Sequence, residues 1–195
     1  MSSKHHIIYV PGIGDDIYRI QGFLVWWWFI YGVRGHVHEM PWTGKGEYQP
    51  KHEKLLALID KYANQGHKVS LVGASAGASA AINAYIARRD QINSVAIICG
   101  KINEPETISE SFYSRNAAFK ESMYALQENL KKLTASDKSK FRNYYTPNDQ
   151  VVPYVCSFMP GVQEISLRPM RHGQAIIYSV SIGARKIIKG LKNPR

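Results

Sequence analysis

Cysteine is scarce in this chain: only Cys99 and Cys156 occur among its 195 residues. Two cysteines cannot build the disulfide framework of a small secreted domain, and neither has a second Cys or His at metal-ligand spacing along the chain. We therefore interpret both residues as buried thiols and predict no metal site.

Long apolar runs are also missing. Residues 23–31 form the longest uninterrupted apolar segment, nine residues, whereas a helix that spans a bilayer needs about 20. The apolar stretch near the N-terminus is too short for a signal peptide and has no small-residue cleavage site. These absences predict a protein without a membrane-spanning segment that stays in the cytoplasm.

The composition is that of an ordinary folded domain. Hydrophobic residues make up 45% and charged residues 21% of the chain, which excludes a disordered or low-complexity protein. The sequence contains no internal repeat and no linker long enough to separate two domains. We predict one domain over residues 1–195.

The net charge of +10 is unevenly distributed. Residues 98–195 carry 15 Lys and Arg against 8 Asp and Glu, whereas residues 1–97 carry 10 against 7. Basic clusters of this kind attract phosphate, anionic lipid or an acidic ligand, but most often they form a solvated surface, which is the interpretation we favour over peripheral contact with an anionic membrane. A nucleic-acid partner is not expected, because Arg142, Tyr144 and Tyr145 fall on a predicted buried strand rather than along an exposed groove.

Short β-rich runs alternate with longer helical stretches, a pattern typical of an α/β domain with a mainly parallel sheet. The predicted strands are residues 6–10, 35–40, 69–73, 94–99, 141–145 and 163–167. The predicted helices are residues 20–31, 51–64, 75–89, 104–138, 149–159 and 174–191.

One pentapeptide, Gly73-Ala74-Ser75-Ala76-Gly77, follows a predicted strand and opens a predicted helix. This is the G-x-S-x-G pattern of a nucleophile elbow, in which a tight turn points the serine hydroxyl away from the sheet. Glycines on either side are needed because bulky side chains do not fit there. The alternative is a structural turn whose glycines only permit close helix–sheet packing.

A serine needs a base, and a base needs an orienting acid. His172 follows the last predicted strand and Asp149 follows the fifth, so both lie where the loops of a parallel sheet gather. Glu104, after the fourth strand, is the alternative acid. For the remaining histidines a structural role is the ordinary interpretation.

The order Ser75, Asp149, His172 resembles the catalytic triad of the α/β-hydrolases. The residues from Asp149 to Pro153 are similar to the acid loop of that family, and the residues from Val10 to Gly14 to its first-strand loop, with Pro11 in place of a histidine. The resemblance implies an α/β-hydrolase fold with about six mainly parallel strands in the order 2-1-3-4-5-6 and a small helical cap over residues 104–138. It also implies an oxyanion hole made by the amides of Ile13 and Ala76.

The resemblance further implies a serine hydrolase that cleaves the ester or thioester of a small acyl substrate without a cofactor. The loop glycines Gly12 and Gly14 then line the substrate site. A catalytically silent binding protein of the same fold, and an amidase or lactonase with the same triad, are the alternatives.

Three successive tryptophans, residues 26–28, cannot all face one side of a helix, because each residue turns the helix by about 100°. We expect one or two rings to pack on the sheet. A remaining ring either covers the acyl pocket, which makes Trp26 and Trp27 candidate substrate-binding residues, or contacts lipid or another subunit. Asp15 and Asp16 are expected to cap the helix or to line the site entrance.

Overall fold

A computed structural model describes residues 3–14, 18–44 and 46–194 of the chain. Its centre is a six-stranded parallel sheet with the strand order β2-β1-β3-β4-β5-β6. The strands are β1 His5–Val10, β2 Arg34–Val37, β3 Lys68–Ala74, β4 Ile92–Ile98, β5 Phe141–Tyr145 and β6 Gln163–Ser166. The strand number and the strand order predicted from the sequence are confirmed.

Helices connect the strands and cover the sheet. The α-helices are α1 Tyr18–Trp26, α2 Tyr48–Ala63, α3 Gly77–Ala87, α4 Glu110–Arg115, α5 Ala117–Leu130, α6 Ala135–Ser139, α7 Tyr154–Ser157, α8 His172–Val180 and α9 Ala184–Lys192. Two 3₁₀ helices, Trp27–Tyr31 and Pro105–Thr107, continue α1 and precede α4. In the described part of the chain, no helix combines the length and the hydropathy that crossing a membrane requires.

The helices form two layers. Helices α2 and α3 pack on one face of the sheet with α5 against them, and α1, α8 and α9 pack on the other face. Successive strand residues point to opposite faces, so Ile8 and Leu71 join the first layer while Ile7 and Val72 join the second. Because both faces are covered, β3 is buried from Val69 onward.

Two predicted helices are wrong in extent. Only α7 is helical within residues 149–159, because the Asp149 carboxylate accepts hydrogen bonds from the backbone of Val151 and Val152 and so forms a turn. The predicted helix 174–191 begins earlier and is divided into α8 and α9. It breaks at Ser181, whose φ of −108° and ψ of −101° are not helical.

The predicted helical stretch 104–138 is divided as well. Asn116, at a φ of −134°, separates α4 from α5, and a capping box at Thr134 starts α6. Helix α5 packs on α2 and α3, and Phe119 near its start lines a cleft at the carboxyl ends of the strands together with residues that precede the helix.

Candidate active site

Ser75 occupies a strained turn between β3 and α3. Its φ is +51°, in the left-handed region that residues with a Cβ rarely adopt. The Ser75 amide donates to the carbonyl of Ile98 at 3.0 Å, which holds the turn against the end of β4. Strain of this kind persists only where the surrounding structure enforces it, and it is concentrated at functional sites.

The two glycines of the turn are required by close packing. A Cβ added at Gly73 would lie 2.7 Å from the carbonyl oxygen of Gly77 and 2.8 Å from the Cα of Ala78. A Cβ added at Gly77 would collide with the carbonyl oxygen of Val10. Both glycines therefore allow α3 to approach β1 and β3 closely enough to present Ser75 at its first turn.

The loop after β1 lies directly against the serine. A Cβ built on Gly12 would come within 2.7 Å of the Ser75 Cβ and 3.2 Å of its Oγ. Ile13 and Ala76 both line the cleft into which this turn opens. Neither the Ile13 amide nor the Ala76 amide donates a hydrogen bond to another described residue. Both amides are therefore without a hydrogen-bond partner among the described residues, one in the loop after β1 and one in the turn that holds Ser75.

Asp149 and His172 are hydrogen bonded to each other. The His172 Nδ1 donates to the Asp149 Oδ2 at 2.8 Å, and the Asp149 side chain is only 3% exposed. Burial raises the pKa of Asp149, but hydrogen bonds from His172, Val152 and Val151 outweigh it and hold the pKa below its ordinary value. The carboxylate therefore stays ionised and fixes the ring so that Nε2 is the nitrogen left for a reaction.

Ser75 and His172 line the same cleft, whose volume is about 790 Å³. Its walls are mostly apolar, with side chains of Ile13, Ile108, Phe112, Phe119, Val151, Val152, Pro153 and Val155. At one side Lys101 donates to the Thr107 hydroxyl at 2.8 Å, and Cys156 donates to the Glu104 Oε2 at 3.1 Å. The Glu104 carboxylate is thus hydrogen bonded to the Cys156 thiol, whereas the His172 ring is hydrogen bonded to Asp149.

Cys99 completes the surroundings of the acid. Its Sγ, a carboxylate oxygen of Asp149 and a ring nitrogen of His172 lie within 4.8 Å of one another. These are three potential metal ligands. Burial, together with the charge of Asp149, raises the pKa of the Cys99 thiol, which favours a neutral S–H that donates to the carboxylate over a metal-binding thiolate.

No protein-family model matches this chain and no curated protein matches it in sequence, whereas solved structures match its fold. Est1E from Butyrivibrio proteoclasticus has a TM-score of 0.68 at 14% identity, over 96% of this chain and 89% of that chain. A carboxylesterase structure from the thaumarchaeon Nitrososphaera gargenis has a TM-score of 0.64 at 15% identity, over 96% and 89%. MGS-MChE2, an α/β hydrolase enzyme from a sediment metagenome, has a TM-score of 0.63 at 16% identity, over 97% and 91%. This chain has the α/β-hydrolase fold.

Within this α/β-hydrolase fold, the three predicted catalytic residues lie at one edge of the sheet. Ser75 follows β3, Asp149 follows β5 and His172 follows β6, all at the carboxyl ends of the strands, where open α/β sheets bind ligands. Gly12 contacts Ser75, and Gly14, with a φ of 141°, follows Ile13 in the same loop. Asp15 and Asp16 lie outside the described residues.

Trp26 and Trp27 are not brought to the cleft of the α/β-hydrolase fold. They are 58% and 45% exposed on the outer side of α1 and of the 3₁₀ helix that follows it. Trp26 lines a separate cavity with His36. Only Trp28 packs on the sheet, and its Nε1 donates to the carbonyl of Val180 at 2.9 Å. The prediction that Trp26 and Trp27 line the substrate site is therefore wrong, because neither residue lines the cleft that holds Ser75.

Sequence reasoning missed Thr146, which ties the two loops of the site together. Its hydroxyl accepts from the Met170 amide at 2.9 Å and lies 3.0 Å from the carbonyl oxygen of Met170 and 3.1 Å from that of Arg168. Thr146 precedes Asp149 by three residues and Met170 precedes His172 by two. In the sequence, Thr146 is recognisable only as a threonine that directly follows a predicted strand. Such threonines are common, so this position did not indicate a role.

Proposed function

We propose that this protein is a serine hydrolase that cleaves a carboxylic ester or thioester through an acyl-enzyme. The observation that carries the proposal is Ser75, held at a φ of +51° in a cleft that it shares with the Asp149-bound His172. A strained serine at a helix start, beside a histidine oriented by a carboxylate, is the arrangement that activates a hydroxyl for acyl transfer.

The reaction follows from the roles that the geometry supports. The Ser75 Oγ attacks the acyl carbonyl carbon while Nε2 of His172 takes the hydroxyl proton. The tetrahedral intermediate collapses, the bond to the leaving oxygen or sulfur breaks, and the imidazolium returns the proton to that leaving group. Water then attacks the acyl-enzyme by the same route, which releases the carboxylic acid and restores Ser75.

Two further groups stabilise the charges that develop. Ile13 and Ala76 line the cleft, and their amides donate to no described residue, so we assign both amides to the oxyanion. Ala76 also lies at the N-terminal end of α3, where the helix dipole favours negative charge. The low pKa of Asp149 keeps a negative charge beside the His172 imidazolium.

The shape of the cleft supports an apolar acyl group. The aromatic residues Phe112 and Phe119 and the aliphatic residues Ile108, Val151 and Val155 line the cleft that holds Ser75. The volume of about 790 Å³ is in the usual range for a small-molecule site. A small lipophilic ester is therefore the substrate class that we expect.

A fluorophosphonate probe tests the nucleophile without knowledge of the substrate. Wild-type protein should be labelled and should hydrolyse p-nitrophenyl esters. Ser75→Ala should abolish labelling and lower the rate by about 10⁴-fold or more, with little change in the melting temperature. Ser109→Ala is the matched control, because Ser109 also lines the cleft but lies at the start of α4; it should be labelled like the wild type.

Two outcomes would contradict the proposal. Retained turnover above a tenth of wild type in Ser75→Ala would exclude Ser75 as the nucleophile. An intact, folded wild-type protein that the probe does not label would favour the catalytically silent binding protein. Parallel assays with matched ester, thioester, amide and lactone substrates then assign the acyl class, because the same residues serve every acyl transfer.

A further inference from the structure

An apolar stripe covers the outer side of α1 and the 3₁₀ helix after it. Six large side chains on this stripe are each 45–60% exposed: Ile20, Phe23, Trp26, Trp27, Phe29 and Ile30. The inner side of the same segment, with Val25 and Trp28, is buried against the sheet. The segment is therefore apolar on both sides, which a helix that only covers a core does not need.

The exposed rings form one continuous cluster. Phe23 lies 6.1 Å from Trp27 and 6.3 Å from Trp26 between ring centroids, and Phe29 lies 5.1 Å from Trp26 and 5.9 Å from Trp27. Single exposed apolar residues are ordinary, but a contiguous patch of this kind marks an interaction site.

The charged residues in the layer formed by α1, α8 and α9 are all basic. The chain segments that contain α1 and α8–α9, residues 17–38 and 165–195, hold nine Lys and Arg and no Asp or Glu. The rest of the chain holds 16 basic and 15 acidic residues, so these two segments account for nearly all of the net charge of +10. Among the described residues of these two segments, the exposed basic side chains are Arg34, Arg168, Arg171, Arg185, Lys186, Lys189 and Lys192.

The basic end of α9 lies next to the apolar stripe. Helix α9 buries Ile188 and Leu191 and exposes Lys189 and Lys192. The Lys192 Nζ donates to the carbonyl of Tyr31 at 2.7 Å, which joins the end of α9 to the end of the 3₁₀ helix. Positive charge and apolar surface are thus parts of one face.

A cavity beside the stripe has the same combination of groups. It has a volume of about 840 Å³ and is lined by Trp26 and Phe29 together with Lys4 and Arg34. This cavity is lined by the first residues of β1 and β2, whereas Ser75 and His172 follow the carboxyl ends of β3 and β6. Its aromatic walls and cationic side chains suit a phosphate-bearing headgroup attached to an apolar chain.

We propose that this layer is a peripheral binding surface for an anionic lipid bilayer. The apolar stripe inserts into the interface between headgroups and acyl chains, where tryptophan is favoured. The neighbouring lysines and arginines contact the anionic headgroups. The proposal does not depend on the hydrolase chemistry, and its test requires no turnover.

Charge distinguishes a bilayer from the other possible occupants. A second copy of this chain would bring two strongly basic faces together, and the repulsion between them opposes a symmetric dimer. A single-stranded nucleic acid stacks its bases on exposed rings, but the rings of this stripe pack against one another, and Ile20 and Ile30 at its two ends offer no stacking surface.

Cosedimentation with vesicles tests the proposal on the full chain. The vesicles are phosphatidylcholine alone or phosphatidylcholine with phosphatidylglycerol. Wild-type protein should bind the anionic vesicles and not the neutral ones, and 1 M salt, which shortens the Debye length to about 3 Å, should weaken binding. Trp26→Ser with Trp27→Ser should weaken binding at least about tenfold.

Matched variants on the opposite layer provide the controls. Tyr124→Ser removes a side chain of similar exposure, 51%, from α5. Lys189→Glu with Lys192→Glu should weaken binding by about 25-fold or more, since each basic residue near an anionic surface contributes about fivefold. Lys131→Glu with Lys132→Glu makes the same change in net charge after α5 and should have a much smaller effect.

Several results would overturn the proposal. These are equal binding to neutral and anionic vesicles, equal losses in the stripe variants and their controls, and no binding to either vesicle. Sedimentation velocity and a single-stranded oligonucleotide titration complete the test. A dimer or an oligonucleotide complex that the Trp26→Ser, Trp27→Ser variant abolishes, without vesicle binding by the wild type, would assign the surface to that occupant instead.

Discussion

Replacing Thr146 with valine should uncouple the loop that carries Asp149 from the loop that carries His172. The Thr146 side chain is almost fully buried, and its hydroxyl makes one hydrogen bond as acceptor and one as donor to the backbone around Met170. Valine has nearly the same shape but can make neither bond. The substitution therefore removes the connection and preserves the packing.

The structure sets the size of the expected effect. Two lost hydrogen bonds cost about 1 kcal/mol each, and an amide of Met170 left without a partner adds to this, for a total of about 2–3 kcal/mol. For a chain of this length that lowers the melting temperature by roughly 4–12 °C. His172 lies two residues after Met170, so the ring should drift from its reactive position and kcat should fall by about 10–100-fold.

Denaturant unfolding and p-nitrophenyl ester kinetics measure the two effects. Thr134→Val is the matched control. The Thr134 hydroxyl also makes two hydrogen bonds, both to Asp137, but α6 does not line the cleft, so this variant should lose about 1–2 kcal/mol of stability with kcat unchanged. Thr146→Ser should restore both quantities. An unchanged kcat in Thr146→Val, or equal losses of kcat in both valine variants, would refute the reasoning.

Two further predictions concern stability. Burial is the main cause that lowers the pKa of three histidines from the ordinary value of 6.5 to about 4; these are His5, His6 and His52. Because the unfolded chain binds protons at these sites first, the contribution of these histidines to the free energy of unfolding should be unchanged above about pH 6.5 and should fall between pH 6.5 and 4, by roughly 1–3 kcal/mol for each ring once solvent screening is allowed for; urea titrations that show no loss of stability over this window would contradict burial as the cause. Trp28→Phe should lower the free energy of unfolding by about 2–4 kcal/mol, since it opens a cavity and removes the hydrogen bond to Val180. Trp27→Phe should change it by no more than about 0.5 kcal/mol. Equal losses of stability in the two variants, measured by calorimetry, would show that the burial of Trp28 does not determine its contribution.

The sequence by itself determined the sheet and the positions of the three proposed catalytic residues along it. The central strands β1, β3 and β4 are mainly apolar runs that end at Gly, Pro or a small residue, and the resemblance to the α/β-hydrolases implied the order of the strands. The turn at Ser75 is defined by five consecutive residues, so no distant contact is needed to predict it. Asp149 and His172 were predictable because loops after parallel strands meet at one edge.

Tertiary structure decided which distant residues meet. Cys99 is 50 residues from Asp149 and 73 from His172 in the chain, and no pattern in the sequence links them, yet all three meet because β4, β5 and β6 are adjacent in the sheet. The breaks within the predicted helices 104–138 and 174–191 likewise depend on local hydrogen bonds and packing that periodicity does not register.

Residues 26–28 show most directly what the sequence determines and what only the tertiary structure decides. Helical periodicity alone established that three successive rings cannot share one face. The rotation of the helix about its own axis decides which ring is buried, and that rotation is set by Val25 and Trp28 packing beside β1 and by the hydrogen bond from Trp28 to Val180. Trp26 and Trp27 were consequently left facing outward, on the basic layer and away from the cleft, a result that only the packed structure could reveal.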